Sequence, residues 1–298
     1  MSKFIYRFLI MSFVFNYSQS QEIKDSFQQL DISKIALVNQ TDSYVTFPSD
    51  IGNIAPLIFE ANISPSFIIR QRKDSRLMAA LTSQVIIRMY NKESYPVQTP
   101  SYMPQISLYY LMGNKQSKTH NTLFGRIAHH SNGQDGDFYD ENGNINLQSG
   151  NFATNYLEIG IIKTSHSNNL NAIKFFKSSI EVHPRSWMLD ELHGQYSGLR
   201  WHNTFTAFKL PFINSGKEDN PNFSLKVETT LMLDNYNNLN TFDIDRVNAS
   251  LTFYYHPKFL EDIGLFVQFY HGTDYYNIYF QNRLDIIRFG LMTEILRF

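Results

Sequence analysis

The sequence predicts an all-β protein, a transmembrane antiparallel β-barrel of about 12 strands. Three observations carry that expectation. Most of the chain falls into short runs in which apolar and polar residues alternate, divided by clusters of Asn, Asp, Gly, Ser and Pro. Aromatic residues make up 15% of the chain, as 18 Tyr and 25 Phe against only 2 Trp, which suits strands with apolar outward faces and aromatic girdles at two interfaces. The N-terminus, finally, reads as an export signal. No helix-period stretch competes with the strand runs, and no repeat of roughly 20 to 50 residues is visible beyond the hairpin rhythm.

Residues 1–20 place Lys3 and Arg7 ahead of an apolar run from Phe8 to Phe15, followed by small polar residues ending near Ser20. That is the pattern of a cleaved signal peptide, and the run is far shorter than the ~20 residues a membrane-spanning helix needs. The chain has no Cys, which excludes lipoprotein attachment, disulfides, a thiolate metal site and a cysteine nucleophile. Residues 21–50 are polar and weakly periodic, with Asp25, Asp31, Asp42 and Asp50, and are expected to form a periplasmic N-terminal extension. The barrel is then expected over residues 51–298, with strands near 54–60, 66–72, 77–90, 104–112, 121–131, 154–164, 172–183, 198–210, 222–234, 243–256, 262–274 and 284–297. Alternation is clearest where Val227, Thr229 and Leu231, or Leu251, Phe253 and Tyr255, share a face. The chain ends on Phe298, and a terminal aromatic on the last strand is similar to the signal by which outer-membrane barrels are recognised for assembly. A formal net charge of -1 without a basic block argues against nucleic acid as a partner.

The stretch with chemistry in it is Gly125-Arg-Ile-Ala-His-His-Ser-Asn-Gly133, followed after a polar loop by Asn151-Phe-Ala-Thr-Asn-Tyr-Leu-Glu-Ile-Gly160. A period of two puts Leu123, Gly125, Ile127, His129 and Ser131 on one face, with Phe124, Arg126, Ala128 and His130 on the other. In the second segment Asn155, Leu157, Ile159 and Ile161 share a face, opposite Tyr156 and Glu158. The faces bearing His129, Ser131 and Asn155 are otherwise aliphatic, so these polar groups point toward lipid. An isolated His-x-Ser is usually a solvated surface pair, but polar groups exposed to hydrocarbon are costly and usually functional. A serine hydroxyl becomes a nucleophile when a base takes its proton and a third group holds that base in the right tautomer. His129 and Ser131 supply the first two. Asn155, at the beginning of the adjacent strand, is the preferred third member, with Asn151 as the alternative of identical parity; His130 points into the lumen and is read as structural.

His-x-Ser-Asn-Gly at His129, Ser131, Asn132 and Gly133, with a later strand-borne Asn, resembles the outer-membrane phospholipase A family, a barrel with a Ser-His-Asn triad on its outer wall. The stretch Gln268 to Asn277 and the closing strand from Arg283 to Met292 look like that family's penultimate hairpin. The resemblance implies a calcium-assisted serine hydrolase of phospholipid acyl esters in the bacterial outer membrane, active as a reversible homodimer. Ser131 would be nucleophile, His129 general base and Asn155 the group that orients it, with the Ser131 backbone N–H and calcium-polarised water stabilising the oxyanion. Gln134 stands where the family commonly has Arg. Calcium ligands are expected among Gln134, Ser149 and Asn151, near the acidic loop of Asp135, Asp137, Asp140 and Glu141, which otherwise reads as a solvated extracellular loop. Two rivals remain: a lipid A deacylase, a smaller barrel with a carboxylate as third member, and a barrel serving as pore or scaffold with His129 and Ser131 incidental.

Overall fold

A computed structural model describes residues 32–293, apart from 49, 73, 115, 116, 118, 168–171, 210–222, 258, 261 and 262. The expected signal peptide and the terminal Phe298 lie outside the described residues. A short helix α1 (Ile32–Val38) precedes fourteen strand segments. These are β1 (Tyr44–Thr46), β2 (Ile51–Gly52), β3 (Leu57–Ile63), β4 (Ser66–Ile69), β5 (Leu77–Tyr90), β6 (Ser101–Met112) and β7 (Thr119–Ser131). They continue as β8 (Ala153–Ser167), β9 (Ala172–Val182), β10 (Leu199–Lys209), β11 (Phe223–Met232), β12 (Val247–Tyr255), β13 (Ile263–Thr273) and β14 (Arg283–Thr293). From β5 onward each strand pairs antiparallel with the next. The sheet closes because β1 bonds both β3 and β14, with Tyr44 opposite Met292 and Val45 opposite Ala61.

The result is a closed 12-stranded barrel, reached by a different division of the chain from the expected one. Both β3 and β4 run along β5, from Leu57 opposite Tyr90 to Ile69 opposite Ala79, so the two segments expected as separate strands near 54–60 and 66–72 are pieces of one wall strand. The remaining wall strand consists of β1 and β2, which both lie on β14. The wall therefore begins at Tyr44, inside the stretch expected as a periplasmic extension. Alternation over segments this short, with Pro48 between them, is too weak to read as a strand; pairing with β14 across the whole chain length is what makes it one.

Side chains alternate across the wall as a membrane barrel requires. Leu108, Leu123, Ile127, Leu157 and Ile159 are exposed on the outside, whereas Tyr109, Phe124, Glu158 and Ile162 are buried inside. The interior is filled at three levels. In the middle, buried Arg88 reaches Glu60 at 2.6 Å and Asp274 at 2.7 Å, and buried Arg288 reaches the other oxygen of Glu60 at 2.6 Å. Charges this far from water persist only when paired and hydrogen-bonded. At the end where β1 starts, α1 inserts Ile32, Ile35 and Ala36 among Met78, Tyr109, Leu111, Phe124, Ile162, Phe175 and Phe208. At the other end, loops after β7, β9 and β13 bury Phe138, Phe152, Leu192, Ile278 and Phe280 against one another. A seven-residue helix has little stability of its own, so α1 exists because the lumen offers it an apolar cup.

Candidate active site on the outer wall

The β7–β8 ladder is unbroken from Thr119 opposite Ser165 to Ser131 opposite Ala153, and it sets His129 directly across from Asn155. The two side chains meet: His129 Nδ1 lies 2.9 Å from Asn155 Oδ1. The amide is held from its other end, because Asn155 Nδ2 donates to the backbone carbonyl of Trp187 at 3.0 Å. A carbonyl can only accept, so the NH2 must face Trp187 and the oxygen must face the imidazole. Nδ1 therefore carries a proton, which in the neutral ring leaves the lone pair on Nε2.

Ser131 is two residues farther along the same face, opposite Tyr102 on β6 and Ala153 on β8. Among the described residues its Oγ makes no hydrogen bond to His129, so the imidazole and the amide are in contact while the contact to the hydroxyl is open. Immediately beyond, Gly133 has φ +67, and a Cβ there would come within 3.4 Å of the Tyr102 ring. The chain turns off the strand at that point because glycine tolerates the left-handed conformation. Asn132 is buried and staples the base of the loop: its Oδ1 accepts from Phe152 N at 3.0 Å and Gln134 N at 3.2 Å, and its Nδ2 donates to Gly150 O at 2.8 Å. Its part in the motif is thus to hold the end of β7 against the start of β8.

His130 points inward, as its parity requires, and Nε2 meets Ser101 Oγ at 2.6 Å. Glu158 is also inside, bonded to Arg126 at 3.0 Å, to Lys177 at 3.1 Å and to Ser179 at 2.6 Å. Neither can reach the outer-wall dyad through the sheet. At the loop base just past β9, His183 bonds Thr154 Oγ1 at 2.9 Å and Glu181 at 2.8 Å. Burial lowers its pKa, with the Glu181 hydrogen bond acting in the opposite direction.

Beside His129 the wall carries an open groove of about 450 Å³ lined by Phe67, Leu81, Pro104, Ile106, Ile127 and Asn155. Ser83 and Pro104 share the rung of His129, and their small side chains leave the trough. A second cavity of about 350 Å³, lined by Asp42, Arg200, His202, Lys226 and Glu228, lies in the lumen, on the other side of the wall from the dyad.

The expected calcium ligands are brought near one another but not into a complete shell. Gly136 N donates to Ser149 O at 3.1 Å and Asn151 N to Gly136 O at 2.9 Å, so the loop is pinched where Gln134, Ser149 and Asn151 emerge. These are neutral oxygen donors of the hard kind calcium accepts, fewer than the six to eight it takes. The acidic loop does not supply the rest: Asp140 Oδ1 caps its own turn by accepting from Asn142 N and Asn144 N, each at 2.9 Å. Among the described residues no group of three or more His, Asp or Glu is placed to hold a metal ion.

Three features of the candidate site escaped the sequence. Asn132 was visible as part of the motif but not as a loop staple. Tyr102 could be found only through the pairing of β6 with β7. Trp187 meets Asn155 through its backbone carbonyl, which no side-chain pattern reveals.

No protein-family model and no curated protein sequence matches the chain. Solved structures do. Outer membrane phospholipase A from Escherichia coli superposes with a TM-score of 0.59 at 12% identity, over 90% of this chain and 100% of that one. An active-site mutant of the same enzyme gives 0.55 at 12% identity, covering 93% and 96% of the two chains. The Salmonella typhi outer membrane phospholipase, solved as a dimer with bound calcium, gives 0.57 at 12% identity, with 92% and 96% covered. The protein shares the fold of these barrels over nearly its whole described length.

Proposed function

We propose that the protein is an outer-membrane serine hydrolase that cleaves acyl ester bonds of phospholipids, with Ser131 as nucleophile, His129 as general base and Asn155 orienting the base. The observation that carries this reading is the 2.9 Å contact between His129 Nδ1 and Asn155 Oδ1 on a face otherwise given to lipid. With Nδ1 protonated, Nε2 is free to take the Ser131 proton as Oγ attacks the ester carbonyl, and then to return it to the departing alcohol. Ser131 and His129 share one face of one strand, so a change of the Ser131 rotamer is the movement that closes the open contact; catalytic hydrogen bonds commonly tighten only with substrate bound. The apolar groove beside His129 suits an acyl chain, and a substrate entering from the bilayer would reach it without leaving lipid. The fold shared with outer membrane phospholipase A supports the same substrate class.

Calcium fits the donor chemistry of Gln134, Ser149 and Asn151 but needs further ligands from water or a second copy. When bound it would supply polarisation of water or carbonyl at the oxyanion. We infer reversible pairing of two barrels along this face, which would also cover the polar dyad in the membrane.

The pore reading is disfavoured by the filling of the lumen at both ends and at mid-height. A lipid A deacylase is disfavoured because an amide, and not a carboxylate, meets His129. The deciding experiment is fatty-acid release from phospholipid micelles by the purified barrel, with and without calcium. Release that depends on Ser131 supports the reading; no release under either condition returns the barrel to a scaffold role.

A further inference from the structure

The segment after β9 runs back alongside the start of β8. Leu189 N donates to Ala153 O at 3.2 Å, Met188 bridges Thr154, and the Trp187 carbonyl falls opposite Asn155 in the same register. The loop thus takes the place beside β8 that β9 vacates when it ends at Val182, and it presents an acceptor to the side of Asn155 remote from His129. We propose that the Trp187 backbone carbonyl is a positioning group of the site, selecting an amide over a carboxylate at residue 155 and fixing the tautomer of His129. The proposal rests on the catalytic reading above.

The reasoning is one of donors and acceptors. An Asn has one end of each kind, so it satisfies the imidazole N–H with its oxygen and the carbonyl with its NH2. An ionised Asp has only acceptors. It would serve His129 equally well but would set a charged oxygen about 3 Å from a carbonyl oxygen, a repulsion in place of a hydrogen bond. The Asp side chain would have to turn from His129 or push the loop away. Without the loop carbonyl the order would reverse, since a carboxylate stabilises an imidazolium better than an amide does.

The loop can be loosened without strain at Leu189. Its φ of -60 and ψ of 143 suit proline, and Met188 before it, at φ -128 and ψ 160, is already extended as a residue preceding proline must be. Leu189→Pro therefore removes the N–H that anchors the segment to Ala153 and sets a ring carbon against the Ala153 carbonyl, which releases the loop from β8, while Leu189→Ala controls for the lost side chain. The expected result is a change of sign. In the wild-type background Leu189→Pro lowers esterase turnover about threefold, because the amide is no longer held; in the Asn155→Asp background, itself down about tenfold or more, the same substitution raises turnover about threefold. Leu189→Ala should move neither background in this manner. Effects of the same sign in both backgrounds, or equal effects of Leu189→Ala and Leu189→Pro, would overturn the assignment. A readout independent of turnover is the ring nitrogen spectrum of 15N-histidine-labelled protein in detergent micelles, with the His129 signals identified by their loss in His129→Ala. Wild type should show Nδ1 protonated and Leu189→Pro a mixture with the other tautomer. If Nδ1 is unprotonated in wild type, or the spectrum ignores Leu189→Pro, the positioning role fails even when esterase activity is present. If no esterase activity exists, the catalytic reading fails while the spectrum still decides the role of the carbonyl.

Discussion

His129 and Asn155 face each other across the β7–β8 ladder with 2.9 Å between the ring nitrogen and the amide oxygen, on the outside of a barrel whose lumen is packed at both ends. Each residue is half-buried by its neighbours, and the wall below them is Ile127 and Leu157, both exposed to the membrane side. A polar pair in such a place has no role in solvation, and its consequences can be tested one residue at a time.

Ser131→Ala and His129→Ala should each reduce phospholipid hydrolysis by several orders of magnitude while the barrel still shows heat-modifiable migration on gels. The two losses should not add, since the residues act on one proton. Retention of even about a tenth of wild-type turnover by Ser131→Ala would remove it as nucleophile.

Asn155→Ala should fall between wild type and Ser131→Ala, because a neutral amide orients the base without bonding to substrate. Asn151→Ala should stay near wild type in calcium-saturated assays. Steady-state rates of the two variants decide between them, and the opposite ranking would shift the orienting role to Asn151.

Calcium should raise turnover and magnesium should not, since neutral, irregularly placed oxygens suit the larger ion. Gln134→Ala and Ser149→Ala should raise the calcium concentration needed for half-maximal activity. Hydrolysis undiminished in excess chelator would take the metal out of the reaction.

The plug can be tested through stability. Ile35 is fully buried in the apolar cup of the lumen, so Ile35→Asp exchanges about 2 to 5 kcal/mol of burial for an unpaired charge. The temperature at which the folded gel band converts to the unfolded one should drop, whereas Ile35→Leu should leave it nearly unchanged. An unaltered transition in Ile35→Asp would mean that α1 does not hold the lumen closed.

Much of this protein is legible in its sequence, for a physical reason: a membrane strand must alternate lipid-facing and lumen-facing residues, and that period of two assigned Leu123, Ile127, His129 and Ser131 to one face and Arg126 and His130 to the other. The same parity offered Asn151 and Asn155 equally. Choosing between them took the register of β7 on β8, which hydrogen bonds between strands determine and composition does not. Pairing across the full chain also decided that β1 and β2, two scraps of three and two residues, form a wall strand against β14, and that β3 and β4 are one. α1 was invisible because a seven-residue helix draws its stability from the cup it fills, and the cup comes from six strands, β5 to β10, all remote from it in sequence. The Trp187 carbonyl is common to every residue type, so only the return of its loop to β8 could place it at Asn155.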